Sequence, residues 1–519
     1  MNQGSNSEAG PANAGPASSL STARKLSEFP APIYRETVLA RVFEDAKRFF
    51  LGPLIQIQYA HTLMLAKQGI MPEREAAQCL HALQALDLDE VRNTLYDGNF
   101  EDLFFLVENR LAGICGHALA GKMHTARSRN DIDLAMYRMV LRECVLSVTT
   151  SLIELREFLV NLAFEHRASL MPAYTHNQPA QPTTLGHYLM AAIECFERDT
   201  ERLQAAYERV NRSPMGACAI TTTGFPIDRE YTAALLGFDR LQTNSYGAIA
   251  AVDYLTEACS VVAVSMLNLG RLAQDLLQWS TVEFGYLLLS DGYVQISSIM
   301  PQKRNPVPLE HVRILASRAL TQAHAVVGSL HNTPFADIND GEDDLQPLVY
   351  TLFDDATRSL RLMTGLLDEA EFNTDRMAAK AEASFLTVTE LADILVRATT
   401  MDFRAAHEIV SRGVKELAGD YDREKMAAAV ERILAASNPS YRVDSALLRT
   451  ALTASNFVAV RKIAGGPAEE VLNPEIARAQ EQCRCDRNWL DDRISRLQNA
   501  RQRQQLDCSR LLERVAGII

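Results

Sequence analysis

The sequence predicts an all-α protein of three helical domains, built around a long central bundle of five helices. Residues 131–170 contain neither Gly nor Pro, and their apolar residues recur at helical spacing. A continuous helix over such a stretch would be about 60 Å long. Four more stretches follow the same pattern, at 187–213, 248–284, 309–327 and from 348 onward. Their apolar residues occupy all sides, which predicts burial on several faces, including faces between subunits.

Shorter helical patterns flank the bundle and define the predicted domains. The first 24 residues are rich in Gly, Ala, Ser, Pro and Asn, which is typical of a disordered tail. Asn473 and Pro474 suit the start of a last helix, with Asn as N-cap and Pro at the first helical position. We therefore predict a tail (1–24), an N-terminal helical domain (25–125), the central bundle (126–378), a C-terminal helical domain (379–470) and a helical extension (471–519).

Composition limits the partners and the compartment. The chain has 519 residues, a net charge of −13 and a pI near 5.4, which disfavour nucleic acid or an anionic membrane as the main partner. It has no run of about 20 apolar residues free of charge, so we expect no membrane span. Nine scattered cysteines without a zinc spacing favour a reducing compartment, and therefore the cytoplasm, and predict no metal site.

Three polar segments lie beside the ends of the predicted bundle helices, where a rigid scaffold can hold polar groups at fixed distances. They are "KMHTARSRND" (122–131), "YTHNQPAQPTTLGHYL" (174–189) and "SSIMPQKRNP" (297–306). The second contains two prolines, which predicts an ordered irregular turn and not a helix.

These segments offer a set of groups that suits a small carboxylate anion. Arg pairs carboxylates bidentately and Lys adds a point charge. Each residue alone has a plainer interpretation, as a surface charge, a structural histidine or a linker that stops helices. Together they predict carboxylate chemistry without a cofactor, from Arg129, Lys303, Asn130, Thr175, Asn305, Ser297, Ser298 and His176.

The third segment carries a resemblance to a known superfamily. Residues 296–306 match the loop G-S-S-x-M-P-x-K-x-N-P of the aspartase, fumarase and argininosuccinate lyase superfamily, with only the leading Gly replaced, by Ile296. "HTARSRND" and "YTHNQPAQPTTLGHYL" are most similar to the argininosuccinate lyase family, and the likeness covers about residues 45–465. It implies a homotetramer with a shared 20-helix core, active sites built from three subunits, and no cofactor or metal.

The resemblance also implies the reaction and the role of each residue. The reaction eliminates fumarate from an N-substituted aspartate after removal of a Cβ proton. Ser297 would be the base, as an alkoxide, while Lys303 and Asn305 hold the carboxylate that becomes a dianion. His176, with Glu310 as partner, would orient the substrate or assist protonation of the leaving amine. The succinyl part would be bound by Arg129, Asn130, Thr175, Ser128, Ser298 and Gln178.

The chain departs from the family where the amine would bind. The family motif E-D-(I/V)-H is replaced by Glu101-Asp102-Leu103-Phe104. In "FADINDGEDDLQP", Asp337, Asn339 and Glu342 stand where the family has Tyr, a basic residue and Gln, and "SxxRDF" is altered around Asp253. Three interpretations stay open: an argininosuccinate lyase, a lyase for ethylenediamine-N,N'-disuccinate or another N-substituted aspartate, and a catalytically inactive structural relative.

Overall fold

Five long helices form the centre of the molecule. The computed structural model describes residues 28–517, so the predicted tail lies outside the described residues. The N-terminal helices come first: α1 (Pro32–Tyr34), α2 (Ala40–Phe49), α3 (Leu51–Lys67), α4 (Glu73–Ala85), α5 (Leu88–Asn93), α6 (Leu103–Cys115) and α7 (His117–Met123), with a π-helical segment at Arg35–Leu39.

The central region has five long helices and two short ones. They are α8 (Arg129–Glu165), α9 (Leu185–Val210), α10 (Arg229–Leu235), α11 (Ser245–Ala250), α12 (Asp253–Trp279), α13 (Val307–Leu330) and α14 (Gln346–Asp368). The long helices contact one another in the cyclic order α8, α9, α12, α13, α14 and back to α8. The five predicted helices are therefore present, although the stretch predicted at 248–284 is divided between α11 and α12.

The C-terminal region consists of short helices followed by a very long one. They are α15 (Thr374–Glu382), α16 (Val388–Ala398), α17 (Phe403–Glu416), α18 (Arg423–Ser437), α19 (Ser445–Ala451), α20 (Ala454–Ala459) and α21 (Glu469–Ala516). Short 3₁₀ segments lie at Asp291–Tyr293, Asn339–Gly341 and Phe385–Thr387. A separate small hydrophobic core, formed by residues between 391 and 452, belongs to this region, whereas the main core joins the N-terminal helices, the bundle and α21. The predicted domain boundaries stay predictions.

The start predicted for the last helix was wrong. Helix α21 begins at Glu469, five residues before the predicted first helical position, so Pro474 lies inside the helix. An early proline removes one backbone hydrogen bond, because Pro has no N–H. Burial of Ala468 and Leu472, each 3% exposed or less, anchors the added turn and offsets this loss.

Four two-stranded sheets connect the helices. They pair β1 (Leu170–Thr175) with β2 (Gln178–Thr184), β3 (Arg212–Ser213) with β4 (Arg240–Leu241), β5 (Leu287–Leu288) with β8 (Glu371–Phe372), and β6 (Gln295–Ile296) with β7 (Arg304–Asn305). Only the β3–β4 pair is parallel.

Helix α12 is long and apolar enough to cross a membrane by length and composition. In the structure it is a bundle helix, and Leu255, Val262 and Leu269 are at most 1% exposed. A buried core helix of a globular protein passes the same test of composition, so this helix is weak evidence for a membrane span.

Candidate active site

The start of α8 presents the first group of predicted site residues. The backbone N–H of Ser128 donates to Asp131 Oδ1 at 2.9 Å, in the manner of a capping box. The other oxygen of Asp131 accepts from the N–H groups of Gly216 (2.8 Å) and Cys218 (3.0 Å). Burial raises the pKa of Asp131 to about 6 in spite of these bonds. The first turn of α8, with Arg129 and Asn130, is thereby tied to a loop of the bundle.

Arg129 is engaged by acidic residues of its own chain. Its guanidinium forms ion pairs with Asp102 and, at 3.0 Å, with Glu101, and it lies 5.4 Å from the ring centroid of Phe105. Asp102 is also the N-cap of α6, where it accepts the N–H of Phe105 at 2.9 Å. The cation that the sequence assigns to a substrate carboxylate therefore already has carboxylate partners within the single chain.

Asn130 points toward the rewritten loop between α13 and α14. Its Nδ2 donates to a carboxylate oxygen of Asp337, while its Oδ1 accepts from Ser128 Oγ at 2.7 Å. Tyr137, about two turns further along α8, donates to Asp343 at 2.9 Å. The contacts of Asn130 with Asp337 and of Tyr137 with Asp343 therefore hold the substituted loop against the start of α8.

Carboxylates crowd one another at this end of the bundle, and the pKa values of four of them rise. Burial and the neighbouring Asp337 raise the pKa of Glu342 to about 8. Burial also raises the pKa of Asp102, of Asp343 and, most strongly, of Asp133. Asp102, Asp133, Asp337, Glu342 and Asp343 are called the acidic set below. Part of its charge is neutralised by bound protons near neutral pH.

The second segment is a β-hairpin, so the prediction of an irregular turn was wrong, while the exclusion of a helix was right. Strands β1 and β2 pair from Leu170↔Thr184 to Thr175↔Gln178, with an irregularity at Ala173/Tyr174. Prolines fit here because each strand of a two-stranded ribbon has a free edge that needs no N–H donor.

His176 and Asn177 form the tip of the hairpin. Both have positive φ, 52° and 60°, which suits a two-residue turn of type I′. Non-glycine residues adopt this left-handed conformation at a cost, and such residues are frequent at functional sites. Thr175, His176 and Gln178 are all exposed in the single chain.

The third segment is a flap, defined here as residues 295–305. The pairs Gln295↔Asn305 and Ile296↔Arg304 form its stem. At its tip Ser297 Oγ accepts hydrogen bonds from the backbone N–H of Met300 at 3.1 Å and of Ile299 at 3.4 Å. Two amides therefore point at the hydroxyl oxygen, an arrangement that stabilises negative charge on it.

The stem of the flap is fixed while its tip is exposed. Asn305 Nδ2 donates to the carbonyl of Gln295 at 2.8 Å, and Arg304 bonds the Leu289 carbonyl at 2.7 Å and pairs with Asp291. Ser298 and Lys303 are exposed. A cavity of about 870 Å³ lies between the stem and residues 371–375, which leaves room for the flap to change position.

The single chain divides the predicted site between the two ends of the bundle. Helix α8 has 37 residues and therefore separates Arg129 from the β-hairpin by about 55 Å. The flap lies at the hairpin end, because Tyr286, just after α12, has its hydroxyl 3.3 Å from that of Tyr174. Among the residues that the structure describes, no hydrogen bond joins His176 to Glu310, and Glu310 is exposed.

Sequence reasoning missed two features of these groups. It did not find the amides of Ile299 and Met300, because backbone donors have no residue signature. It identified Asp337 and Glu342, but it did not predict that Asp133 and Asp343 lie close to them. The run of acidic residues at 342–344 was the one sequence signal that could have indicated this cluster.

Fold and motifs define a fumarase- and aspartase-type lyase. A lyase family matches residues 44–321, and the argininosuccinate lyase C-terminal family matches residues 385–459. The chain is 42% identical to argininosuccinate lyase 2 of Agrobacterium fabrum over 455 residues, 87% of this chain and 90% of the relative. It is 37% identical to the argininosuccinate lyase of Methanoculleus marisnigri, over 88% and 92% of the two chains.

Solved structures agree with this class. An EDDS lyase variant with bound fumarate superposes with a TM-score of 0.82 at 33% identity, covering 93% of this chain and 96% of that one. A class II fumarase from Schistosoma mansoni shares the fold, with a TM-score of 0.65 at 14% identity over 82% and 92% of the chains. The chain belongs to the argininosuccinate lyase family, which makes it a carbon–nitrogen lyase and confirms the resemblance inferred from its motifs.

Proposed function

We propose that the protein eliminates fumarate from an N-substituted aspartate, with argininosuccinate as its first candidate substrate. The observation that carries this proposal is the tip of the flap, where two backbone amides point at Ser297 Oγ. A serine hydroxyl next to amides and close in sequence to Lys303 is suited to work as an alkoxide base. The membership of the chain in a family of fumarate-releasing lyases supports the same reaction.

The difficult step is removal of the Cβ proton. Ser297 would take that proton, and the C–H electron pair would pass into the adjacent carboxylate to give an aci-carboxylate dianion. Lys303 and Asn305 would hold this group more tightly as a dianion than as a carboxylate, which lowers the barrier. The electrons then form the double bond of fumarate as the C–N bond breaks and the nitrogen keeps the bond pair.

The remaining predicted residues would bind and orient the substrate. Arg129, Asn130 and Ser128 from one end of the bundle, and Thr175 and Gln178 from the hairpin, would position the succinyl carboxylates, with Ser298 on the flap. His176 at the hairpin tip would orient the substrate or assist protonation of the leaving nitrogen, with Glu310 as its partner. An amine that leaves from a protonated nitrogen needs no other proton donor.

A complete site requires more than one chain, and we infer a homotetramer with shared active sites. The distance of about 55 Å along α8 keeps Arg129 from the hairpin and the flap of the same chain. The exposed faces of α12 and α13 carry Val264, Leu267, Ile314 and Val327, each at least 40% exposed, which suits burial against other copies. A cytoplasmic location fits an enzyme that acts on a small metabolite and has nine free cysteines.

The identity of the leaving amine is a separate question within the proposal. Relatives named argininosuccinate lyase favour arginine. The acidic set, together with a solved EDDS lyase at 33% identity, favours a diamine instead, because carboxylates attract a second cationic nitrogen.

Ultraviolet absorbance of fumarate tests the proposal directly. Purified protein would be given argininosuccinate and ethylenediamine-N,N'-disuccinate in parallel. Fumarate from argininosuccinate alone supports an enzyme that makes arginine, and fumarate from the disuccinate alone supports a changed amine pocket. No fumarate from these or other succinyl amines would contradict the proposal and favour a structural relative.

A further inference from the structure

A second cavity lies beneath the β1–β2 hairpin. It has a volume of about 390 Å³ and is enclosed by the hairpin, the first turns of α9, the end of α12 and residues 457–467. The aromatic rings that line it are those of Tyr174, Tyr188, Trp279, Phe284 and Phe457. Ring centroids are 4.8 Å apart for Tyr188–Trp279 and 5.7 Å apart for Tyr174–Phe284, so these rings form two aromatic pairs on the wall of the cavity.

One carboxylate in this wall lacks a cationic partner. Asp275 accepts a hydrogen bond from Tyr188 at 2.6 Å. In the part of the chain that the structure describes it forms no ion pair, although Arg271 is one helical turn away on α12. A carboxylate beside aromatic faces provides both of the attractions that bind an organic cation.

The other ionisable groups of the lining are already satisfied. Arg461 pairs with Glu390 at 3.1 Å and stacks on Phe457. His187 contacts the Gly465 carbonyl at 3.0 Å and the Thr183 hydroxyl at 2.8 Å, so both of its ring nitrogens have hydrogen-bond partners. Asp275 is therefore the charge in the cavity that a ligand would match.

We propose that this cavity is a binding site for an organic ammonium ion that carries a flat apolar group, such as an arylalkylamine. The ammonium would lie against Asp275 and the flat group between the aromatic rings. The volume suits a small ligand, and the paired β1–β2 hairpin together with helices α9 and α12 forms most of the lining, so the site is preformed. It differs from the proposed succinate site, which needs several cationic or neutral donors facing two carboxylates.

Tryptophan fluorescence offers a direct readout, because the chain has two tryptophans and only Trp279 lines the cavity. Trp489 on α21 packs against Tyr207, so Trp489→Phe leaves Trp279 as the single reporter. The probe is 2-phenylethylammonium, and 2-phenylethanol is its neutral counterpart of similar shape. We expect a saturable fluorescence change with the ammonium ion and binding at least about tenfold weaker for the alcohol.

Matched variants assign the interaction to one side chain. In the Trp489→Phe background, Asp275→Asn should weaken binding of the ammonium ion about tenfold and leave the alcohol unchanged, whereas Asp275→Glu should keep the preference for the cation. Asp354→Asn, at an exposed site on α14, should change neither. Circular dichroism would verify that each variant is folded.

Three results would overturn the proposal: no saturable change with the ammonium ion, equal affinity for the alcohol, or unchanged affinity in Asp275→Asn. The measurement uses no substrate and no turnover. Its failure is therefore independent of whether the protein releases fumarate.

Discussion

Replacement of Asp486 by Asn tests how α21 is attached to the bundle. Arg156, in the middle of α8, is 0% exposed, and its Nη1 forms an ion pair at 2.6 Å with Asp486 of α21. Removing one partner of a buried ion pair typically costs about 3–5 kcal/mol, because the other charge stays buried and unmatched. Glu197, 3.8 Å from the guanidinium, retains part of the compensation. We therefore expect a loss near the lower limit, about 3 kcal/mol.

Urea unfolding followed by circular dichroism would measure this loss. Asp492→Asn is the matched control, because Asp492 is on the same helix and its ion pair with Arg496 is about half exposed. Exposed pairs contribute only about 0–1 kcal/mol, so the control should unfold close to the wild type. If Asp486→Asn loses no more than the control, the buried pair does not hold α21 in place and the reasoning fails.

The other predictions concern catalysis and pH. Ser297→Ala should lower kcat by roughly 10²-fold to 10⁴-fold at an unchanged melting temperature, because the proposed base lies on an exposed flap and supports no core packing. Mixing inactive Arg129→Ala and Ser297→Ala proteins should restore part of the activity after subunit exchange, because each site would take these residues from different chains. Folded Glu342 keeps its proton to about pH 8, whereas an unfolded glutamate loses it near 4.5. Between these pH values the folded state binds one more proton than the unfolded state, so the free energy of unfolding falls as the pH rises from about 4.5 to about 8. Glu342→Gln should therefore raise the melting temperature, relative to the wild type, more at high pH than at low pH.

Each of these has a control in the chain. Ser329→Ala, an exposed serine on α13, should leave kcat unchanged, and near-normal turnover of Ser297→Ala would remove Ser297 as the base. Mixed proteins that stay inactive after proven exchange would argue against shared sites. Asp340→Asn, exposed in the same loop as Glu342, should shift the melting temperature equally at both pH values, and the same behaviour in Glu342→Gln would exclude the proposed proton uptake.

The long helices could be predicted because each depends on local sequence. Absence of Gly and Pro together with helical spacing of apolar residues located all five bundle helices, and the ends of α8 lie within five residues of those of the pattern at 131–170. The β-hairpin was missed because its strands contain three prolines, which count against a strand unless one of its edges is free. The start of α21 was misplaced because burial of Leu472 outweighed the local preference of Pro474 for a helix start.

The candidate residues of the site were also found from sequence, but their neighbours were not. The motifs give the residue type and the sequence position of Arg129, Ser297 and His176, and nothing more. They do not show which carboxylate contacts Arg129, because Asp102 is the N-cap of α6 and only the folded structure brings it to α8. The backbone amides face Ser297 because of the turn that the flap adopts, and the motif does not specify the geometry of that turn.

The position of Asp486 in α21, which follows all five bundle helices in the chain, has a consequence for synthesis of the protein. Helix α21 runs antiparallel to α8, with Arg487 paired to Glu157 and Arg501 paired to Glu143, and its last turns reach Glu73 in the N-terminal region. During translation the bundle emerges from the ribosome long before the helix that supplies the partner of Arg156. The nascent chain therefore carries an unmatched buried charge and an uncovered face until α21 has been made. Chains that terminate before α21 should aggregate or be degraded instead of retaining partial activity, so completion of this helix decides whether the bundle made before it is stable.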